Sequence, residues 1–236
     1  MLILFKREFK SYFLTATGYL FIGIFLLLSG ICFGIINLAS RSTSMLYTLQ
    51  YMGYIWMLLC PVLVIRLIAG ERQKKTDQLL FSSPCSVTSI VIGKYFAAVA
   101  VMLIAVAATC VYIIIIMIYG RLYAAETFAG YIGFILQGAA YIALDLFISC
   151  MANHQVNACI FCIGANLFFW ISDLISDALP SSSISGIFSF VSLYKRFEDF
   201  GEGRISFSGI IFYLLFIVTL LFLSVRALDA RRWSNT

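Results

Sequence analysis

The chain has 236 residues, 62% of them hydrophobic and only 11% charged, where soluble domains carry about a quarter charged residues. Several apolar runs reach the ~20 residues that cross a bilayer, which excludes a sizeable soluble domain and leaves an integral membrane protein. The net charge of +5 calls for no nucleic-acid partner, and seven cysteines, odd in number and mostly inside apolar runs, argue against a structural disulfide framework.

Residues 1–14 place Leu2, Phe5, Phe9, Tyr12 and Phe13 at helical spacing against Lys6, Arg7 and Lys10. This is the pattern of a basic amphipathic helix lying in the membrane interface, retained rather than cleaved as a signal. Six spans follow: Ala16 to Leu38, Leu46 to Ala69, Gly93 to Tyr119, Phe128 to Met151, Val156 to Asp177 and Ser208 to Val225. With both termini cytoplasmic, eleven Lys and Arg fall inside (among them Lys74, Lys75, Lys94, Arg231 and Arg232). Five fall outside: Arg41, Arg121, Lys195, Arg196 and Arg204. That bias follows the positive-inside rule.

The longest charged interruption is the cytoplasmic loop 71–92, which begins E-R-Q-K-K-T-D-Q-L-L-F-S-S-P-C-S. Thr76 to Phe81 suits one or two helical turns, Ser82-Ser83-Pro84 breaks them, and Ser86 is placed to cap a new helix that runs through Ile90 and Val91 into the third span. Between spans four and five, Ser149 to Ala158 is too short for anything but a tight turn. Residues 180–207 lie outside, yet Ile187, Phe188, Phe190, Val191 and Leu193 are too apolar for free solvent. They predict re-entrant or interfacial helices.

Chemistry-bearing residues are few. There is no G-x-x-x-x-G-K-[ST] phosphate loop, so any ATP is bound by another chain. His154 is the lone histidine and sits in a turn, and Cys159-x-x-Cys162 has no second ligand pair, so no catalytic group and no metal site are expected. Asp173 and Asp177 stand at i, i+4, where a cation site or an aspartyl pair is conceivable and pairing with Lys195, Arg196 or Arg204 is the plainer reading. Arg66 and Asp145 lie inside spans, a few residues before each leaves on the cytoplasmic side. Equal depth and the cost of a lone charge there predict an intramembrane ion pair.

The loop, with I-V-I-G-K-Y after it, resembles the cytoplasmic loop of ABC-2 type transporter permeases. Glu71, Thr76, Leu79, Leu80, Ser83, Pro84, Gly93 and Lys94 fit that pattern, and Gln78 stands where the family usually has glutamate. Ser149, Asn153, Gln155 and Ala158 resemble the family's turn between spans four and five. F-E-D-F-G-E-G-R-I-S-F and the closing R-A-L-D-A-R-R-W resemble the tail of its gliding-motility-type branch. The resemblance implies one all-α transmembrane domain over residues 1–236, with six transmembrane helices, an interfacial helix, a cytoplasmic coupling helix and an extracellular re-entrant segment. It also implies a cell-membrane exporter subunit, paired with a second permease and with a P-loop ABC ATPase that carries ATP and magnesium. In that setting Glu71, Thr76, Leu79, Leu80, Ser83 and Pro84 would couple to the ATPase. The alternatives are an intramembrane enzyme using Asp145, Asp173 or Asp177, and a secondary carrier, for which no inverted repeat is evident.

The topology has a direct test. Of single cysteines placed at positions 75 and 201 of a cysteine-free chain, only the second should react with an impermeant maleimide in intact cells.

Overall fold

Inside a bilayer the backbone has no hydrogen-bonding partner but itself, so apolar runs of span length become helices. The computed structural model describes residues 2–73, 86–178, 192–194, 196, 197, 200, 203, 204 and 206–234, the side chains of 173–178 and 231–234 excepted. The helices among these residues are α1 (Leu2–Leu14), α2 (Ala16–Phe33), α3 (Leu46–Gln73), α4 (Val87–Tyr119), α5 (Ala124–Met151), α6 (Gln155–Ala178) and α7 (Phe207–Ser234), with a π-helical stretch at Gly34–Ala39 ending α2. Six of them, α2 to α7, are long and apolar enough to cross a membrane. They match the spans expected from sequence, the main difference being that α7 continues past Val225 to Ser234; α4 starts at Val87, where Ser86 caps it as expected by accepting a hydrogen bond from the Ser89 N–H at 3.3 Å.

The bundle is built around α3 and α5, which are buried along most of their length, while α2, α4, α6 and α7 pack around them. The outer helices turn apolar side chains outward, for example Leu27 and Ile31 of α2, Ile114 of α4, Phe161 of α6 and Leu215 of α7. In a membrane protein these face lipid. At the centre Trp56 receives Phe21 and Phe25 edge-on at 5.4 Å and meets Phe134 at 6.3 Å.

Glycines on α5 make this closeness possible. A Cβ at Gly138 would stand 2.6 Å from Met102 Sδ and 3.2 Å from Trp56 Nε1, and one at Gly133 would stand 2.7 Å from Phe200 Cβ. Small residues at such crossings let helices gain packing that lipid cannot supply. Of the segment expected to be re-entrant, most residues lie outside those described. Leu193, Phe197 and Phe200 are buried. The Tyr213 hydroxyl donates to the Leu193 carbonyl at 2.5 Å, and Phe200 fits over Gly133 and Gly209.

Two polar details shape the helices. Buried Asn37 donates to the Ser42 and Ser44 carbonyls at 3.0 and 2.9 Å and accepts from the Thr48 hydroxyl, which fixes the turn from α2 to α3. Pro61, inside α3, has no N–H to give the Met57 carbonyl four residues earlier. The Asn166 amide of α6 donates to that carbonyl at 3.1 Å instead.

Gly133→Val forces Phe200 out of its seat, and overpacking of this kind costs about 1–3 kcal/mol. Thermal unfolding in detergent should show a loss at the upper end of that range. Gly23→Ala, with nothing within 4 Å of its added methyl, should be neutral or slightly stabilising.

Candidate functional site

Where α3 ends and α4 begins, the two helices flank the charged loop, and Lys94 is the residue that joins them. Its side chain is buried, so its ammonium needs partners. It donates to the Leu67 carbonyl at 2.5 Å and to Glu71 Oε2 at 2.7 Å, and Glu8 Oε1 of α1 lies 3.5 Å away. Arg7 completes a ring, 2.7 Å from Glu8 Oε1 and 3.8 Å from Glu71 Oε1. Among the described residues two cations alternate with two carboxylates, tying α1, α3 and α4 together. Glu71 and Lys94 thus close the base of the loop.

The turn from α5 to α6 grips the same end of α3. Ser149 Oγ accepts from the Ala69 N–H at 3.2 Å, and Arg72 donates to the Ala152 carbonyl and, at 3.4 Å, to that of Cys150. Those carbonyls belong to the last turn of α5, whose oxygens lack helical partners, and a cation there also suits the helix dipole. Ala158 packs in a small apolar cluster with Ile65, Ala69, Ala152 and Cys162, and Gln155 reaches Gly70. Three of the four turn residues singled out in the sequence, Ser149, Gln155 and Ala158, therefore meet on the last turns of α3. Asn153 and the lone histidine, His154, are exposed.

A polar cleft of about 500 Å³ opens beside the ring, lined by Glu8, Ser11, Tyr12, Thr15, Thr17, Arg66, Leu67, Gly70, Glu71 and Gln155. Burial, with the nearby Glu8 carboxylate, pushes the Tyr12 hydroxyl well above its ordinary range, so it remains a phenol and donates to the Leu63 carbonyl at 2.8 Å. Arg66 extends into the cleft and donates to Thr15 Oγ1 at 2.5 Å and to Thr17 Oγ1.

This placement corrects the expected ion pair between Arg66 and Asp145. Among the described residues no salt bridge joins them. Asp145 is wholly buried on the other side of α3, against Cys60, Cys162 and Asn166. Cys60 precedes Arg66 by six residues, which at 3.6 residues per turn puts the two side chains about 120° apart around the helix. Equal depth in the membrane said nothing about azimuth. Of the coupling residues, Glu71 is in the ring, whereas Thr76, Leu79, Leu80, Ser83 and Pro84 lie outside the described residues, as do the side chains of Asp173 and Asp177. Glu8, Asn166 and Pro61 belong to no motif that marks them in the sequence. Glu8 is the one acid in a basic helix, and a proline inside a span always leaves a carbonyl in search of a donor.

Lys94→Met would strand two carboxylates around an apolar side chain, and breaking a buried pair this way costs about 3–5 kcal/mol. Glu71 is a quarter exposed, so melting should show the lower end of that range. Adding Glu71→Gln should recover part of the loss.

Residues 39–183 match the family model described as ABC-2 family transporter protein, and this is more than half of the chain. No curated protein matches the sequence. The matched region runs from the end of α2 through α6, and so takes in the central pair, Glu71, Lys94 and the turn that grips α3. By that match the chain belongs to the ABC-2 family of transporter membrane proteins.

Proposed function

We propose that the chain is the permease subunit of an ATP-driven ABC-2 type exporter, of the gliding-motility-type branch that its tail resembles. A separate P-loop ATPase docks on loop 71–92, and a second permease, identical or homologous, completes the membrane pore. ATP and magnesium belong to the ATPase; this chain supplies the pathway and the lever. Both termini and the loop face the cytoplasm in this reading, on the strength of the charge bias.

The observation that carries the reading is the clasp at the loop's base. A loop that is to move spans must not be a slack tether. Here its two ends are joined by Glu71 and Lys94, and the end of α3 is held by α1 on one side and by the α5–α6 turn on the other. A push on the loop is then delivered to α1, α3, α4, α5 and α6 together, as a rocking motion between inward- and outward-open states requires. The basic, aromatic face of α1 suits the membrane interface, where it would transmit the same motion.

Purified from its native membrane, the chain should bring down a P-loop ATPase in stoichiometric amount, which an intramembrane enzyme would not. Replacing Leu79 and Leu80 with aspartate should abolish stimulation of that ATPase, while the helix content and melting of the permease stay as in wild type. Full stimulation by the double variant would remove the loop from the coupling path.

A further inference from the structure

Asp145 lies six residues before the end of α5, and among the described residues no cation stands beside it. Its carboxyl is wholly buried between α3, α5 and α6, as is Asn166 of α6. The groups that face it are Cys60 from α3 and Cys162 and Asn166 from α6, and Tyr95 of α4 stands behind Cys60. None of these is basic.

The hydrogen bonds are incomplete in a specific way. Asn166 Nδ2 donates to the Met57 carbonyl at 3.1 Å and to Asp145 Oδ2 at 3.4 Å. The Met57 carbonyl can only accept, so the amide cannot be turned over. That leaves Asp145 Oδ1 and Asn166 Oδ1 both buried and both without a partner. Two acceptors cannot satisfy each other. A lone carboxylate at this depth, with one oxygen bare, is among the least favourable arrangements a membrane protein can hold.

We propose that Asp145 is a proton-binding site: the side chain is a neutral carboxylic acid whose Oδ1–H donates to Asn166 Oδ1, closing a two-bond acid–amide pair. One proton then serves both bare oxygens and removes the charge. A metal cation is a poorer fit, since hard cations take about six oxygens and among the described side chains around the site only these two oxygens are unengaged. The proline in α3 is part of the site, because the carbonyl it leaves free is what orients the Asn166 amide. The pair pins α6 to α5 and α3 without a charge.

Infrared difference spectroscopy on the protein in lipid, with wild type compared to Asp145→Asn, tests this. At neutral pH the wild type should show the C=O band of a hydrogen-bonded carboxylic acid, which moves in heavy water and with carbon-13 aspartate and is missing from the variant. Asn166→Leu keeps the carboxyl and should shift that band toward an unbonded acid, so this second variant suffices if the first does not fold. A carboxylate band lost in Asp145→Asn, an acid band that Asn166→Leu leaves in place, or a carboxylate signal that responds to sodium or potassium would each overturn the proposal, the last by making the site one for a metal cation.

Discussion

A buried ammonium with two carboxylates around it sets the terms for one whole end of this molecule. Lys94 is buried against Glu8 and Glu71, and Arg7 bridges the same two carboxylates. The residues come from three helices separated by the charged loop and by the first span, so the fold has to bring them together before any of them is tolerable. Such a cluster adds little net stability over an apolar core of the same shape. It does fix which helix ends meet, and it does so at the base of the segment through which a transport ATPase would act.

The grip on α3 shows the same economy in uncharged form. Helix ends leave carbonyls unsatisfied. The last turn of α5 offers its carbonyls to Arg72, and Ser149 gives an acceptor to the backbone of α3. A tight turn and a helix end thereby become one rigid joint, alongside the small apolar cluster of Ile65, Ala69, Ala152, Ala158 and Cys162. The opposite end relies on shape instead, with Phe200 seated over glycines of α5 and α7 and Asn37 tying the turn between α2 and α3.

Between the two ends, a single proline has consequences out of proportion to its size. Pro61 withholds one N–H, Asn166 answers the carbonyl left behind, and Asn166 in turn lies against Asp145. A backbone irregularity in α3 is thus converted into a polar contact between α5 and α6 in a region where lipid-like packing would otherwise leave helices free to slide.

Six helices of span length, most of their limits within a few residues, and the family were legible in the chain itself, because bilayer thickness converts directly into run length and because Glu71 to Lys94 carries a recognisable spacing. The cap at Ser86 could be read as well, since capping is a local matter of one hydroxyl and the N–H groups that follow it. What could not be read was which way each side chain faces around its helix. Arg66 and Asp145 were expected at one depth, yet Arg66 turns from α3 into a polar cleft with Thr15 and Thr17, while Asp145 of α5 lies against Asn166 and against Cys60, which stands about 120° around α3 from Arg66. Glu8 likewise finds Lys94 only because α1 packs against α4. Hydropathy reports how deep a residue lies; azimuth is set only when helices pack, and the partners of Glu8, Lys94 and Asp145 were decided there.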